Sequence, residues 1–345
     1  MRRTVWVAAG AALAAGALAG AAALGGVAGF LWGARAGDLA RWGRPAERYL
    51  SGEGPDRIAV VRVVGPISRE GRGIALLGAG ASSRAIIRLL DHARRDPAVK
   101  AVIVELDTPG GSVVASDEVY QALVALRRAG RPVVALMTEV AASGGYYVAA
   151  AADHIVADPT TVTGSIGVVV ALANTEALSR KIGIRTIVFK SGAFKDLGNP
   201  NRPVTPAEAA IVQRLVDEAY GRFIGVVARG RRMDPLRVRR LADGRIYTGL
   251  QAHRLGLVDS LGHLPEAVAV AMRRAGLHRA TVVEYGSAGV LDVLLGPLGR
   301  WLPFGREALE PLASDALGVP IPDAAWAAGA APPVRAVSAQ YLLVP

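Results

Sequence analysis

The chain has 345 residues, 52% of them hydrophobic, which is ample for a sizeable core. It has no cysteine, which excludes disulfides, thiolate zinc sites and a cysteine nucleophile. The formal net charge is +11, yet the densest basic run, residues 228–240, has no interleaved aromatics and is split by Asp234 and Pro235, so no nucleic-acid partner is expected and a surface facing anionic lipid fits better.

From Thr4 to Ala34 no residue is charged. As a helix this stretch would span roughly 45 Å, more than a bilayer core requires. Trp6 and Trp32 would lie about 39 Å apart along it, near the two headgroup regions. The expectation is a transmembrane anchor over residues 1–34. A cleaved signal peptide is the competing reading, with Arg2 and Arg3 as its basic start, but the apolar run exceeds the ~7–15 residues of such a segment. Arg2 and Arg3 favour the N-terminus inside, with the following body translocated. Residues 35–56, rich in Gly, Arg and Pro, read as a linker.

Beyond it the pattern alternates. Ile58 to Ile67 is a β-branched apolar run stopped by Gly65-Pro66, a strand signal. Ser82 to Asp96 has helical spacing through Ile86, Leu89, Leu90 and Ala93. Val99 to Asp107 is a continuous apolar strand, followed by a Pro-Gly-Gly turn and a helix ending at Gly130. Arg131 to Met137 is another strand. This rhythm predicts an α/β fold with a parallel sheet and functional loops at the strand ends, occupying residues 57–286. Downstream, Gly183 to Lys190 reads as a strand. Thr205-Pro206-Ala207-Glu208 is a capping box opening a long helix, Ala267 to Gly276 is a further helix, and Ala280 to Gly286 is a last strand. Residues 287–345 are apolar pieces broken by proline, an extension without a clear pattern.

Two loops can carry chemistry. "DTPGGSV", Asp107 to Val113, follows a buried strand directly, and its glycines let backbone amides point at an anion or a carbonyl oxygen. The plain alternative is a tight turn with Ser112 as a helix cap. "AASGGYY" repeats the device one unit later, with Ser143 at the turn and the Gly144 amide behind it. Together they offer a nucleophile and oxyanion donors at Gly110 and Gly144. For the base, His154 is the one histidine near in sequence, though its flanks are those of a structural strand. The chain has four lysines, Lys100, Lys181, Lys190 and Lys195. Lysine, unlike arginine, sheds its proton when buried among apolar groups, and Lys190 and Lys195 lie in a glycine-containing loop.

"DTPGGSV", "AASGGYYVA", "VTGSIGV" and "KSGAFKD", in that order, resemble the signal peptide peptidase A family, peptidase family S49, over about residues 58–262. The resemblance implies a ClpP/crotonase-like fold and a Ser-Lys dyad of Ser143 and Lys195, with Lys190 non-catalytic. It implies an oxyanion hole from Gly110 and Gly144, and Ser165 as the residue that orients the lysine. It implies a membrane-anchored endopeptidase of the bacterial cell membrane, acting outside the cytoplasm on hydrophobic peptides such as cleaved signal peptides. It also implies a homo-oligomer of single-copy subunits, in which serine and lysine are free to come from neighbours, and no cofactor or metal. The alternatives are a crotonase-like acyl-CoA enzyme, or a silent membrane scaffold of the same fold.

Overall fold

The computed structural model describes residues 45–70 and 80–286, so the expected anchor and the C-terminal extension lie outside the described residues. Among those described, no helix is long and apolar enough to cross a membrane.

In chain order the strands are β1 (Ala46–Gly52), β2 (Arg57–Val64), β3 (Ile67–Ser68), β4 (Ala81–Ser82), β5 (Val99–Thr108), β6 (Val133–Ala142), β7 (His154–Ala157), β8 (Val162–Gly164), β9 (Ile246–Thr248), β10 (Ser260–Leu261) and β11 (Thr281–Gly286). The helices are α1 (Ser83–Arg95), α2 (Val113–Arg128), α3 (Gly144–Ala149), α4 (Glu176–Lys181), α5 (Pro206–Arg231), α6 (Pro235–Leu241), α7 (Gly249–Leu255) and α8 (Leu264–Ala275). The main sheet runs β1-β11-β2-β5-β6-β7-β10, with β8 paired to β6 and β9 to β8. From β11 to β10 every pairing is parallel, and β1 closes one edge antiparallel to β11.

The expected α/β class is therefore what the chain adopts, and the core shows why. A parallel sheet needs crossover helices on its faces, so its central strands are apolar on both sides. Alternate residues of β5 divide accordingly. Val102, Val104 and Leu106 pack with Leu123 and Leu126 of α2, whereas Ala101 and Ile103 pack with Val270 and Ala271 of α8.

Two expectations change. The linker assigned to residues 35–56 contains strand β1, whose side chains are almost all exposed, so it carries no apolar alternation. It is held by backbone pairing and by edge ion pairs such as Arg48 with Glu284. Conversely, residues 183–190 form no strand, despite their β-branched pattern. Strand geometry needs a neighbouring backbone, and none of the described residues supplies one. Ile187 and Phe189 are left 77% and 93% exposed.

At its far end α5 is anchored by a part-buried ion pair. Arg231 makes two bonds to Asp259, at 2.8 and 2.6 Å, and a third to Gly256 O. Asp259 also accepts from the Ile155 amide. Burial pushes its carboxyl up, but the bonds from Arg231 outweigh this and hold it below the usual carboxylate range. Removing one partner of such a pair strands the other charge, so Asp259→Ala is expected to cost about 3–5 kcal/mol in a urea unfolding measurement.

Candidate active site

Ser143 follows the last residue of β6 and Ser165 follows the last residue of β8. These strands pair in parallel through Ala142 and Gly164, so the two serines emerge side by side. Both take left-handed backbone, φ 51° and 49°, a conformation that costs a non-glycine residue about 1–3 kcal/mol and persists only where its surroundings impose it. At Ser143 the restraints are clear. Its N–H donates to Gly164 O at 2.9 Å, and its carbonyl accepts from Tyr147 N at 2.9 Å. Ser165 is held by its N–H donating to Arg245 O.

The capping alternative separates the two loops. Ser112 does cap α2, accepting from the Ala115 amide. Ser143 stands at the N-terminus of α3 and makes no side-chain cap bond. Ser143 instead lines a groove of about 580 Å3, together with Ser165, Val113, Val168, Asp217 and Asp243.

The small residues of "ASGG" have a packing reason. Gly144 and Gly145 are buried, and α3 lies against α2 and β5. A Cβ on Gly144 would run into Ser116 Oγ, and one on Gly145 would come 2.8 Å from Thr108 Cγ2. Gly110, at φ 95°, meets the second loop backbone to backbone: a Cβ there would lie 2.5 Å from Gly144 N and 2.9 Å from Ser143 Cβ. These glycines permit close approach within the protein; they are not chiefly clearance for a ligand.

The amides can then be sorted. The N–H of Gly110, expected in the oxyanion hole, donates to Thr108 Oγ1 at 3.0 Å. Gly111 N–H makes no hydrogen bond among the described residues and faces Gly144, 3.2 Å from the position a Cβ would take there. Gly144 N–H, first in its helix, is also without a partner among them. In the sequence, two adjacent glycines carry no mark of which amide the neighbouring threonine takes.

Behind α3 stand two tyrosines. Tyr146 is fully buried, donates to Leu257 O at 2.9 Å, and burial raises its hydroxyl well above the usual range. Tyr147 packs edge-on against Tyr120 and Phe223 and donates to Asp117 at 2.7 Å, which Arg222 also holds. Burial, then the Asp117 bond, pushes Tyr147 up to about 12. Both hydroxyls are thus neutral donors that fix the helix following Ser143.

Of the candidate bases, His154 bonds Ser260 Oγ at 2.9 Å and does not line the groove. Lys190 donates to Asp196 at 2.7 Å and to Ala193 O, so its amino group is already engaged within its own loop. Asp196 is shared with Arg202, which also grips the buried Glu208 at the start of α5. Lys195, one residue before Asp196, is exposed, and its ammonium has no partner among the described residues. Within this chain it does not line the groove.

A strained serine at a strand-to-helix turn, facing two unpartnered amides on an α/β scaffold, is the arrangement of a nucleophilic-serine hydrolase. The profile of peptidase family S49 matches residues 125–278. The chain is 42% identical over 221 residues to a putative protease of Synechocystis, covering 64% of this chain and 76% of that protein. It is 40% identical over 196 residues to a putative signal peptide peptidase SppA of Enterococcus faecium, covering 57% of each. It is 36% identical over 249 residues to a chloroplastic serine protease SPPA of Arabidopsis thaliana, covering 70% of this chain and 37% of that one. The chain belongs to peptidase family S49. It spans little more than half the length of the Enterococcus relative and 37% of the Arabidopsis one.

Two outcomes follow from this geometry. Gly144→Ala is expected to displace α3 from Ser116 and abolish covalent labelling of Ser143 by a fluorophosphonate, while circular dichroism still reports a folded chain. The Lys190–Asp196–Arg202–Glu208 network is expected to open in acid. Bonds from Arg202 hold Asp196 and Glu208 down, Glu208 to about 2. Groups with depressed folded values stabilise above their ordinary values near pH 4 and lose that contribution as pH falls through the folded ones. Protection of the amides across residues 190–208, taken relative to the intrinsic exchange rate at each pH, should therefore fall between about pH 4 and 2.

Proposed function

We propose that this chain is a serine endopeptidase of the signal peptide peptidase type, with a fold of the ClpP/crotonase kind, in which Ser143 attacks a peptide carbonyl and Lys195 is the general base. The observation that carries this reading is the strained Ser143, whose hydroxyl caps nothing and stands beside the free amides of Gly111 and Gly144. Attack by Oγ forms the acyl-enzyme and sends its proton to the lysine amine. The oxyanion is held by the two amides, and the amine passes that proton to the leaving nitrogen. Water, deprotonated by the same amine, then releases the acyl group. Ser165, emerging beside Ser143, orients the amine.

A lysine serves as a base only as its neutral amine, which a dry apolar setting favours and open solvent does not. In one chain Lys195 lies in solvent, on an arm over residues 168–204 that exposes Val169, Ile187, Val188, Phe189 and Phe194. The reading that reconciles these facts is a homo-oligomer in which the arm of one copy covers the groove of the next, excluding water and bringing Lys195 to a neighbour's Ser143. Four valines of the groove wall, Val113, Val168, Val169 and Val216, suit hydrophobic peptides, signal peptide remnants among them. The uncharged stretch 4–34 supports anchoring in the cell membrane with this body outside the cytoplasm.

Mixing tests the arrangement. Ser143→Ala and Lys195→Ala, each inactive alone on a fluorogenic hydrophobic peptide, regain hydrolysis when co-assembled, because some junctions then hold an intact serine beside an intact lysine. Recovery that never rises above background would sink the shared dyad, and an active Lys195→Ala would sink the lysine base itself.

A further inference from the structure

The proposed chemistry leaves the densest basic run, residues 228–240, unused. Six arginines and a single carboxylate, Asp234, occupy it. Arg231 turns inward to Asp259, and Asp234 is spent on the Leu236 and Arg237 amides at the start of α6. The other five, Arg229, Arg232, Arg237, Arg239 and Arg240, are exposed and make no ion pair among the described residues. Arginines on either side of the run are neutralised, Arg222 by Asp117 and Arg245 by Asp243.

Helix α6 sets this charge around an apolar tip. Val238 is buried and Leu241 packs on the core, so at about 100° per residue the opposite side carries Leu236 and Arg240, one turn apart. Leu236 is 65% exposed. Arg239, on one flank, lies over the Tyr220 ring at 5.6 Å. Arg237, on the other, reaches Leu255 O of α7 at 3.1 Å, next to the exposed Arg254, which also has no ion pair among the described residues. One exposed leucine means little by itself. A leucine ringed by guanidiniums without counter-charges matches a bilayer surface, where the apolar tip enters the headgroup layer and the cations meet phosphates. The run holds no aromatic side chain on which a base could stack, which argues against nucleic acid.

We infer that this face docks on an anionic lipid surface, with Leu236 entering the headgroup layer and Arg232, Arg237, Arg240 and Arg254 gathering lipid phosphates. Docking here is distinct from the anchoring proposed for residues 4–34, because it depends on headgroup charge and an apolar span does not. It has a consequence for the groove. The chain leaves α6 through Ala242, Asp243 and Gly244, which line the groove beside Ser143. Tyr220 donates to Ala242 O at 2.8 Å, and Arg245 O accepts from Ser165 N–H. Seating α6 on lipid therefore brings this wall of the groove to the bilayer, where hydrophobic peptides collect. The docking stands apart from the peptidase reading; only its effect on turnover rests on that reading.

The test uses the full-length chain with Leu236→Cys, the one thiol in an otherwise cysteine-free sequence, carrying the environment-sensitive dye NBD. In phosphatidylcholine vesicles containing about 30% phosphatidylglycerol, the dye should be at least about twofold brighter than in phosphatidylcholine alone. Salt at about 0.5 M should remove most of that gain, as should Arg232→Gln combined with Arg240→Gln. Both arginines are exposed and unpaired, so the double variant should melt with wild type. Equal emission in the two vesicles, or a gain that the double variant keeps, overturns the surface. So does a response to single-stranded RNA, in phosphatidylcholine vesicles, as large as the response to phosphatidylglycerol. With a hydrophobic peptide in the same vesicles, phosphatidylglycerol should raise wild-type turnover about threefold, and the double variant should keep the phosphatidylcholine rate but lose the rise. Turnover indifferent to headgroup charge overturns the link to the groove. Absent fluorophosphonate labelling of Ser143 overturns the peptidase reading, and the dye measurement still decides the surface.

Discussion

The site depends on one close approach, the meeting of two turns at Gly110 and Gly144. There is no room between them for a single Cβ. That contact brings the loop after β5 against the loop after β6, so that the amides of Gly111 and Gly144 stand beside the strained Ser143. Because backbone touches backbone, the spacing is set by covalent geometry and sheet register rather than by flexible side chains. Donors placed in advance of reaction are worth most, since nothing reorganises when charge develops.

The layers behind the turns serve this contact. Helix α3 is short and buried, and it is held by the polar tips of its own tyrosines, one on Leu257 O and one on Asp117. The Arg231–Asp259 pair ties the far end of α5 to the segment before β10 and to β7. The positive φ of Ser143 is sustained by these restraints, which together exceed its intrinsic cost.

The arm over residues 168–204 has the opposite character. Its base is fixed by charge, through Asp196, Arg202 and Glu208, yet its outer side chains are apolar and face water. Apolar exposure of this kind is what the proposed neighbouring copy would cover. Lys195 lies within that arm while the serine and amides lie in the sheet. The proposed chemistry is thus divided between an element complete in one chain and one that needs a neighbour.

The central strands and helices were legible in sequence because they obey local rules. The continuous apolar run of β5, the Thr205 capping box and the glycines before α2 and α3 each write their structure over a few residues. The edge strand β1 was not legible, since its faces are exposed and its partner is more than two hundred residues away. The pattern at 183–190 promised a strand, and none of the described residues pairs with it. At the site, Ser143 and the two glycine-bearing turns could be read from composition and order. Only tertiary structure decided that Thr108 occupies the Gly110 amide and that, among the described residues, the Gly111 amide and the buried Ser116 hydroxyl have no partner. The first is a bond between residues two positions apart whose geometry the bare sequence does not fix, and the last rests on which backbones meet across the sheet, where no local pattern encodes a meeting between residues some thirty positions apart.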